Sequence, residues 1–271
     1  MNSFTPSRYS ESIRKGALGV ELWDHHRAQR LQRTVDVSVD GPPPVVPNWL
    51  DAQSGGKTLP KDLLPRLYSR RTYMYALFYK QGTVIENADI RVYDASREFV
   101  PRRLQFTIPS IAAAELSQPS ARVTAVGLFP SAAYSVPSGA TGLRGRVERE
   151  GKPLRWARVE ARIGGGAGTV VGRAQGDDRG EFLLILAPRA GGVGDLPALL
   201  SVNVTVYARP KAATPAVPEN DPLGDMEIEA VSGAAVAWGD VIPASYTSKV
   251  SRVVKLAFAT IRSDELPFVF T

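Results

Sequence analysis

Residues 141–186, TGLRGRVEREGKPLRWARVEARIGGGAGTVVGRAQGDDRGEFLLIL, decide the fold. Leu143, Gly145 and Val147 start a strand, and Glu148 to Pro153 supplies a turn with glycine and proline where a reversal needs them. Leu154, then Trp156 or Ala157, Val159 and Ala161 carry the next strand. Residues 164–168 hold too much glycine for a strand interior and read as a hairpin tip. A phosphate cradle would need a helix N-terminus directly after the glycines, and Thr169 to Val171 reads as strand instead. In the turn from Gly176 to Phe182, Asp177 can accept backbone N–H bonds, Gly180 can take a positive φ, and Phe182 then enters the core.

Taken in order, Gly145 and Val147, then Gly151, Pro153 and Leu154, then Ala157 and Val159, then Asp177, Gly180 and Phe182 follow the pattern G-x-V, G-x-P-L, A-x-V, D-x-x-G-x-F. This resembles the carboxypeptidase regulatory-like family over Gly142 to Tyr207, about a quarter of the chain. The resemblance implies a transthyretin-like, or prealbumin-like, β-sandwich that serves as a noncatalytic accessory, recognition or structural module. The N-terminal half has no such signature. Asp177 and Asp178 offer two carboxylates on one turn, short of the roughly six to eight oxygens that Ca²⁺ takes.

Working toward the N-terminus, Leu18, Val20 and Leu22 alternate as in a half-buried strand, Asp24 to Arg27 makes a polar turn, and Thr34 to Val39 alternates again. The two segments are expected to pair as a hairpin. His25 and His26 are the only histidines. Adjacent on a turn, their side chains diverge, and no Cys, His or carboxylate cluster stands near, so both are expected to be exposed turn residues without a metal or general-base role. No G-x-S-x-G elbow is present. Residues 41–65 are rich in proline and glycine and read as an extended insertion, in which Trp49 and Leu50 either anchor the loop to its own domain or touch another subunit. Gly55 to Thr58 lacks the upstream glycine and the preceding strand of a phosphate-binding loop. Arg71 to Tyr79, Ala88 to Tyr93 and Arg102 to Ile108 read as strands, with Thr72, Tyr73, Tyr75 and Tyr79 filling a core and its rim. Ile111 to Leu116 is expected to make one helical turn, and Val123 to Phe129 is strand-like.

Toward the C-terminus, Leu199 to Tyr207 and Arg252 to Thr260 read as strands of the second sandwich. Between them, Ala208 to Asp225 is a proline-rich excursion that hints at partner contact, and Trp238 sits in a glycine and alanine setting compatible with docking. The tail ends in Phe268 and Phe270, costly to expose at about 1.5–3 kcal/mol per large side chain. It either packs as a last edge strand or joins a neighbouring subunit's sheet.

The 271 residues are thus expected to form an all-β protein of two tandem β-sandwiches, the second transthyretin-like. The expected divisions are an arm over 1–16, a first sandwich over 17–129, a linker over 130–140 and the second sandwich over 141–271. No cysteine is present, which removes disulfides and thiolate metal sites and agrees with a reducing compartment. The N-terminus lacks the apolar core of a signal peptide, and no apolar run approaches the roughly 20 residues of a membrane span. A cytoplasmic protein, or one in a particle assembled there, with no membrane partner, is expected. Net charge is +6, but the arginines are interspersed with acids, so no specific nucleic-acid partner is expected. Without a catalytic constellation, the sequence predicts no enzyme, no cofactor and no metal. The expected role is a structural or interaction subunit of a larger assembly with protein partners. By analogy of architecture its setting is a phage-tail-like or contractile-injection particle. Trp49, Leu50, Trp238, Phe268 and Phe270 are the expected partner-binding residues. The alternative is a carbohydrate- or polymer-binding module that uses Trp49, Trp156 or Trp238 as a stacking platform.

Overall fold

The computed structural model describes residues 16–39, 67–71, 73–79, 86–165, 167–187, 199–217, 221–264 and 266–271. Its strands in the first half are β1 (Gly16–Asp24), β2 (Gln29–Arg30), β3 (Asp36–Val39), β4 (Leu67–Arg71), β5 (Met74–Phe78), β6 (Asn87–Tyr93), β7 (Arg102–Thr107) and β8 (Val123–Leu128). The second half contributes β9 (Gly142–Arg149), β10 (Lys152–Pro153), β11 (Arg158–Ile163), β12 (Thr169–Gln175), β13 (Glu181–Ile185), β14 (Leu199–Ala208), β15 (Ile228–Ala230), β16 (Ser248–Ala257), β17 (Ile261–Ser263) and β18 (Phe268–Phe270). The short helices are α1 (Ile111–Leu116), capped by the Ser110 hydroxyl, and α2 (Ala234–Trp238). The protein is all-β, and α1 lies where the sequence places it.

Alternation sets the first core. Leu18, Val20 and Leu22 of β1 turn inward to meet Tyr75 and Leu77 of β5, Ile90 and Val92 of β6, Leu104 and Phe106 of β7, and Val126 and Leu128 of β8. These strands form two sheets, ordered β2-β1-β5-β4, with β8 parallel to β1, and β15-β7-β6-β3. In the second half, β9 is flanked by β13 and β10 and by the parallel strands β17 and β18, opposite a sheet ordered β12-β11-β14-β16. Val159, Val202, Val204, Val206 and Leu256 fill the core between them.

The turn before β13 behaves as its residues predict. Asp177 Oδ1 accepts the backbone N–H groups of Arg179 and Glu181 at 2.8 and 2.9 Å. Gly180 has φ +71°, and a Cβ there would stand 2.6 Å from the Val147 carbonyl. Phe182 is fully buried, its ring so close to Gly145 that a Cβ at that position would clash at 2.5 Å. The glycines and aspartate of this stretch are therefore turn and packing residues.

Several expectations need correcting. Thr34 to Val39 does not pair with β1: the partner there is β2, and β3 crosses to pair with β6 in the opposite sheet. Along Gly16–Glu21 that flank of β1 is already occupied by β5, so the chain past Arg30 has no open edge to follow. Within the expected linker, Ser131 and Tyr134 are buried and the Tyr134 hydroxyl donates to Asp24 at 2.6 Å. The excursion after β14 turns back onto the chain's own first half. Arg91 grips the Asp221 carboxylate with two bonds of 2.7 and 2.8 Å, and β15 pairs in parallel with β7. The C-terminal tail packs on its own sandwich, with β18 on β9.

The two halves are joined in two further ways. β13 is buried on both faces: Phe182 and Leu184 belong to the second core, Leu183 and Ile185 to the first. That explains its unbroken apolar run. Beside it, Glu229 of β15 lies between two buried guanidiniums. Arg102 donates to its carboxylate at 3.3 and 3.0 Å, and Arg158 Nη2 lies 2.6 Å from Oε1. Burial alone would raise the Glu229 pKa, but the charges of Arg158 and Arg102 outweigh it and hold the carboxyl below its ordinary value. Substituting Glu229→Ala strands two buried cations, and we predict a loss of about 3–5 kcal/mol in unfolding free energy. Urea titration of the variant checks this, and a loss below about 1 kcal/mol would contradict the cluster's role.

Candidate functional site

The sheet orders bring β8 and β15 to the same side of the first sandwich, since β3 and β4 neighbour each other at the opposite side. This side is not sealed by strand pairing. Among the described residues β8 has β1 as its only strand neighbour, leaving its other edge to the seam. β15 spans three residues, and after the Val231 N–H bonds the Gln105 carbonyl at 2.8 Å the chain departs. Phe106 and Thr107 of β7 thus also line the seam beyond the end of β15. The segment carrying α2 packs over the far part of β8 and is held there by Arg102, whose guanidinium donates to the Gly127, Val236 and Ala237 carbonyls. The last two belong to the last turn of the helix, where the Val236 carbonyl also accepts from the Gly239 N–H at 3.0 Å.

What remains open is a cleft of about 620 Å³ walled by Leu18, Phe106, Pro109, Val123, Ala125 and Trp238, with Asp240 also in its lining. Its walls are largely apolar. Close to lining residues along the chain, Ile111, Ile228 and Val241 are exposed. Such a seam can take an extended segment through backbone hydrogen bonds to the strand edges and apolar contacts to the walls.

Of the residues expected to bind a partner, Trp238 lies on this cleft, half-buried, with its ring 5.8 Å from Trp23. Phe268 and Phe270 do not serve: they are 2% and 5% exposed inside the second core, where Phe268 meets Phe182. Trp49 and Leu50 lie outside the described residues. Trp156 is no stacking platform, being 1% exposed with its ring N–H donating to Asp225 at 2.9 Å and its carbonyl accepting from Tyr246. Trp23 was not singled out from sequence, because only the fold brings it to Trp238. The nearest local sign is its place at the end of the β1 alternation.

His25 is not exposed, contrary to expectation. The turn after β1 is pressed against β8, where the His25 N–H bonds the Leu128 carbonyl at 3.0 Å, and the imidazole stacks 4.2 Å from Phe129. Its Nε2 lies 3.3 Å from Asp240 Oδ1, a carboxylate that also takes Arg173 at 3.2 Å. His26 packs edge-on against Tyr134. Among the described residues no group of three or more His, Asp or Glu side chains is placed to hold a metal ion, and no helix is long and apolar enough to cross a membrane.

Burial lowers the His25 pKa, and Arg102 and Arg173 add to the effect, while Asp240 opposes it without cancelling it. Burial lowers His26 likewise. The unfolded chain therefore takes up these protons first, near the ordinary histidine value of 6.5, so stability is full above that pH and declines as pH falls through it. We expect urea midpoints between about pH 8 and pH 5 to fall on the acid side, and His25→Asn to flatten that slope. A stability that rises toward acid would contradict the assignment. Comparison with protein-family models, with curated proteins and with solved structures gives no match to this chain.

Proposed function

We propose that this protein is a non-enzymatic structural or interaction subunit of a larger protein assembly. Neighbouring subunits join it by laying an extended segment into the seam between β8 and β15. The observation that carries this reading is the cleft itself: edges from two different sheets meet at one largely apolar opening. Exposed strand edges are normally blunted by charge or proline, whereas β8 presents Val123, Thr124 and Ala125. The cross-linked halves suit a load-bearing block, since the polar groups at their junction are spent on fixing one half to the other. His25 is likewise engaged in packing.

On this reading the second half is a transthyretin-like module of the carboxypeptidase regulatory-like kind, with its turn chemistry at Asp177, Gly180 and Phe182 as support. A phage-tail-like or contractile-injection particle, put together in the cytoplasm, is the proposed setting by analogy of architecture alone.

Native mass spectrometry of the purified chain at micromolar concentration is expected to reveal species of more than one subunit. Val123→Asp, at a position already 42% exposed, should dissociate them with little change in thermal unfolding. A wild-type chain that is strictly monomeric and joins no isolated particle component would refute the proposal.

A further inference from the structure

A second surface lies around the hairpin of β1 and β2, distinct from the seam. Leu31 anchors it, 2% exposed and bonded through its N–H to the Leu22 carbonyl at 2.9 Å, so the flanking polar residues are held outward. Residues 29–32 form a common wall between two hollows. One, of about 340 Å³, runs toward Glu98, Phe99 and Tyr134. The other, of about 530 Å³, runs toward Trp23 and Tyr73.

The chemistry of this groove alternates. Arg30 is 5.7 Å from the Trp23 ring and 5.4 Å from the Tyr73 ring, and reaches Glu21 loosely at 3.4 and 3.5 Å. Arg27 lies 5.3 Å from the Tyr134 ring and 3.9 Å from Asp24, and Arg33 lies 2.5 Å from Glu98. Three guanidiniums are therefore matched by three carboxylates. Gln29 and Gln32, each both donor and acceptor, are exposed between them. Trp23 adds a buried Nε1–H that has no acceptor among the described residues.

Such a groove is poorly suited to a polyanion. A polyphosphate gains from releasing counterions at unneutralised cations, and here each cation already has its carboxylate. Neutral hydroxyls fit better, because each both donates and accepts, and aromatic walls accommodate the apolar C–H faces of sugar rings. Arg30 is well exposed in its pair with Glu21, and an ion pair in contact with water is weak, so exchanging it for hydroxyl contacts costs little. We infer that the groove around Gln29–Gln32 is a binding site for a neutral carbohydrate chain, with Arg30 and the two glutamines as its polar contacts and Trp23 and Tyr73 as its apolar wall. This goes beyond the seam, and neither site requires the other.

Isothermal titration of the full chain against neutral hexasaccharides of the β-1,4-glucan, chitin and xylan types, alongside a polyuronate, a sulfated glycan and single-stranded DNA, tests it. We expect one or more neutral hexasaccharides to bind and to shift tryptophan fluorescence. Arg30→Ala should weaken that binding about tenfold, and Gln32→Ala to a smaller degree, with thermal unfolding unchanged. Gln29→Ala serves as a further variant should Arg30→Ala unfold, and Val123→Asp, in the seam, should leave the affinity intact. Absence of binding to every neutral glycan would overturn the inference. So would binding confined to the polyanions, or neutral-glycan binding that the Arg30 and glutamine variants leave undiminished.

Discussion

One carboxylate sits between guanidiniums from the two halves of the chain: Glu229 on β15, Arg102 on β7 and Arg158 on β11. Taking three charges out of water is costly, and the attraction among them offsets that cost only where geometry is good and the remaining N–H groups find acceptors. Arg102 meets this condition through the Gly127, Val236 and Ala237 carbonyls. Those same bonds fix α2 against β8, so the placement of the helix, of Trp238 and of the cleft all follow from where one guanidinium points. Such clusters specify an arrangement more than they add net stability, since apolar substitutes of equal volume often stabilise as well.

Around that cluster the two cores share material. β13 gives one face to each core, and β15 leaves the second half to lengthen a sheet of the first. Arg97 with Asp178, Arg173 with Asp240 and Arg91 with Asp221 add ion pairs across the same junction or along the excursion. Exposed pairs of this kind contribute little singly, so apolar burial and the enclosed cluster dominate the joint. A chain with no cysteine reaches a fixed two-part shape by packing and by buried charge.

What could be read from sequence was local. Period-two alternation located β1, β7 and β14, and the Asp177-to-Phe182 turn declared its own geometry and the entry to β13, because these features depend on residues within a few positions of one another. The crossing of β3 to the second sheet was hidden, since it depends on β5 already occupying β1. The return of the excursion was hidden as well. Nothing near Glu229 announces that its partners lie at Arg102 and Arg158, and a proline-rich stretch reads alike whether it covers its own chain or a neighbour. Trp156 and Trp238 look equivalent by composition, yet one is enclosed and hydrogen-bonded to Asp225 while the other lies on a cleft. The arginines at 27, 30 and 33 were legible as residues but not as a groove, which arises only when Trp23, Tyr73 and Tyr134 converge on them.

The parallel pairing of β15 with β7 also bears on how the chain folds. Arg103 and Ile228 are register partners although the strands β8 to β14 lie between them in sequence. During synthesis the first half emerges long before the strand that completes its sheet, so β7 waits with an unfilled edge while more than a hundred residues follow. Contacts of such long range are slow to close, and an unpaired edge held open in the meantime invites pairing with another nascent chain. The strand that lengthens the sheet of the first half thus arrives only after β9 to β14 have been made, so that half stays open to mispairing while most of the second is synthesised.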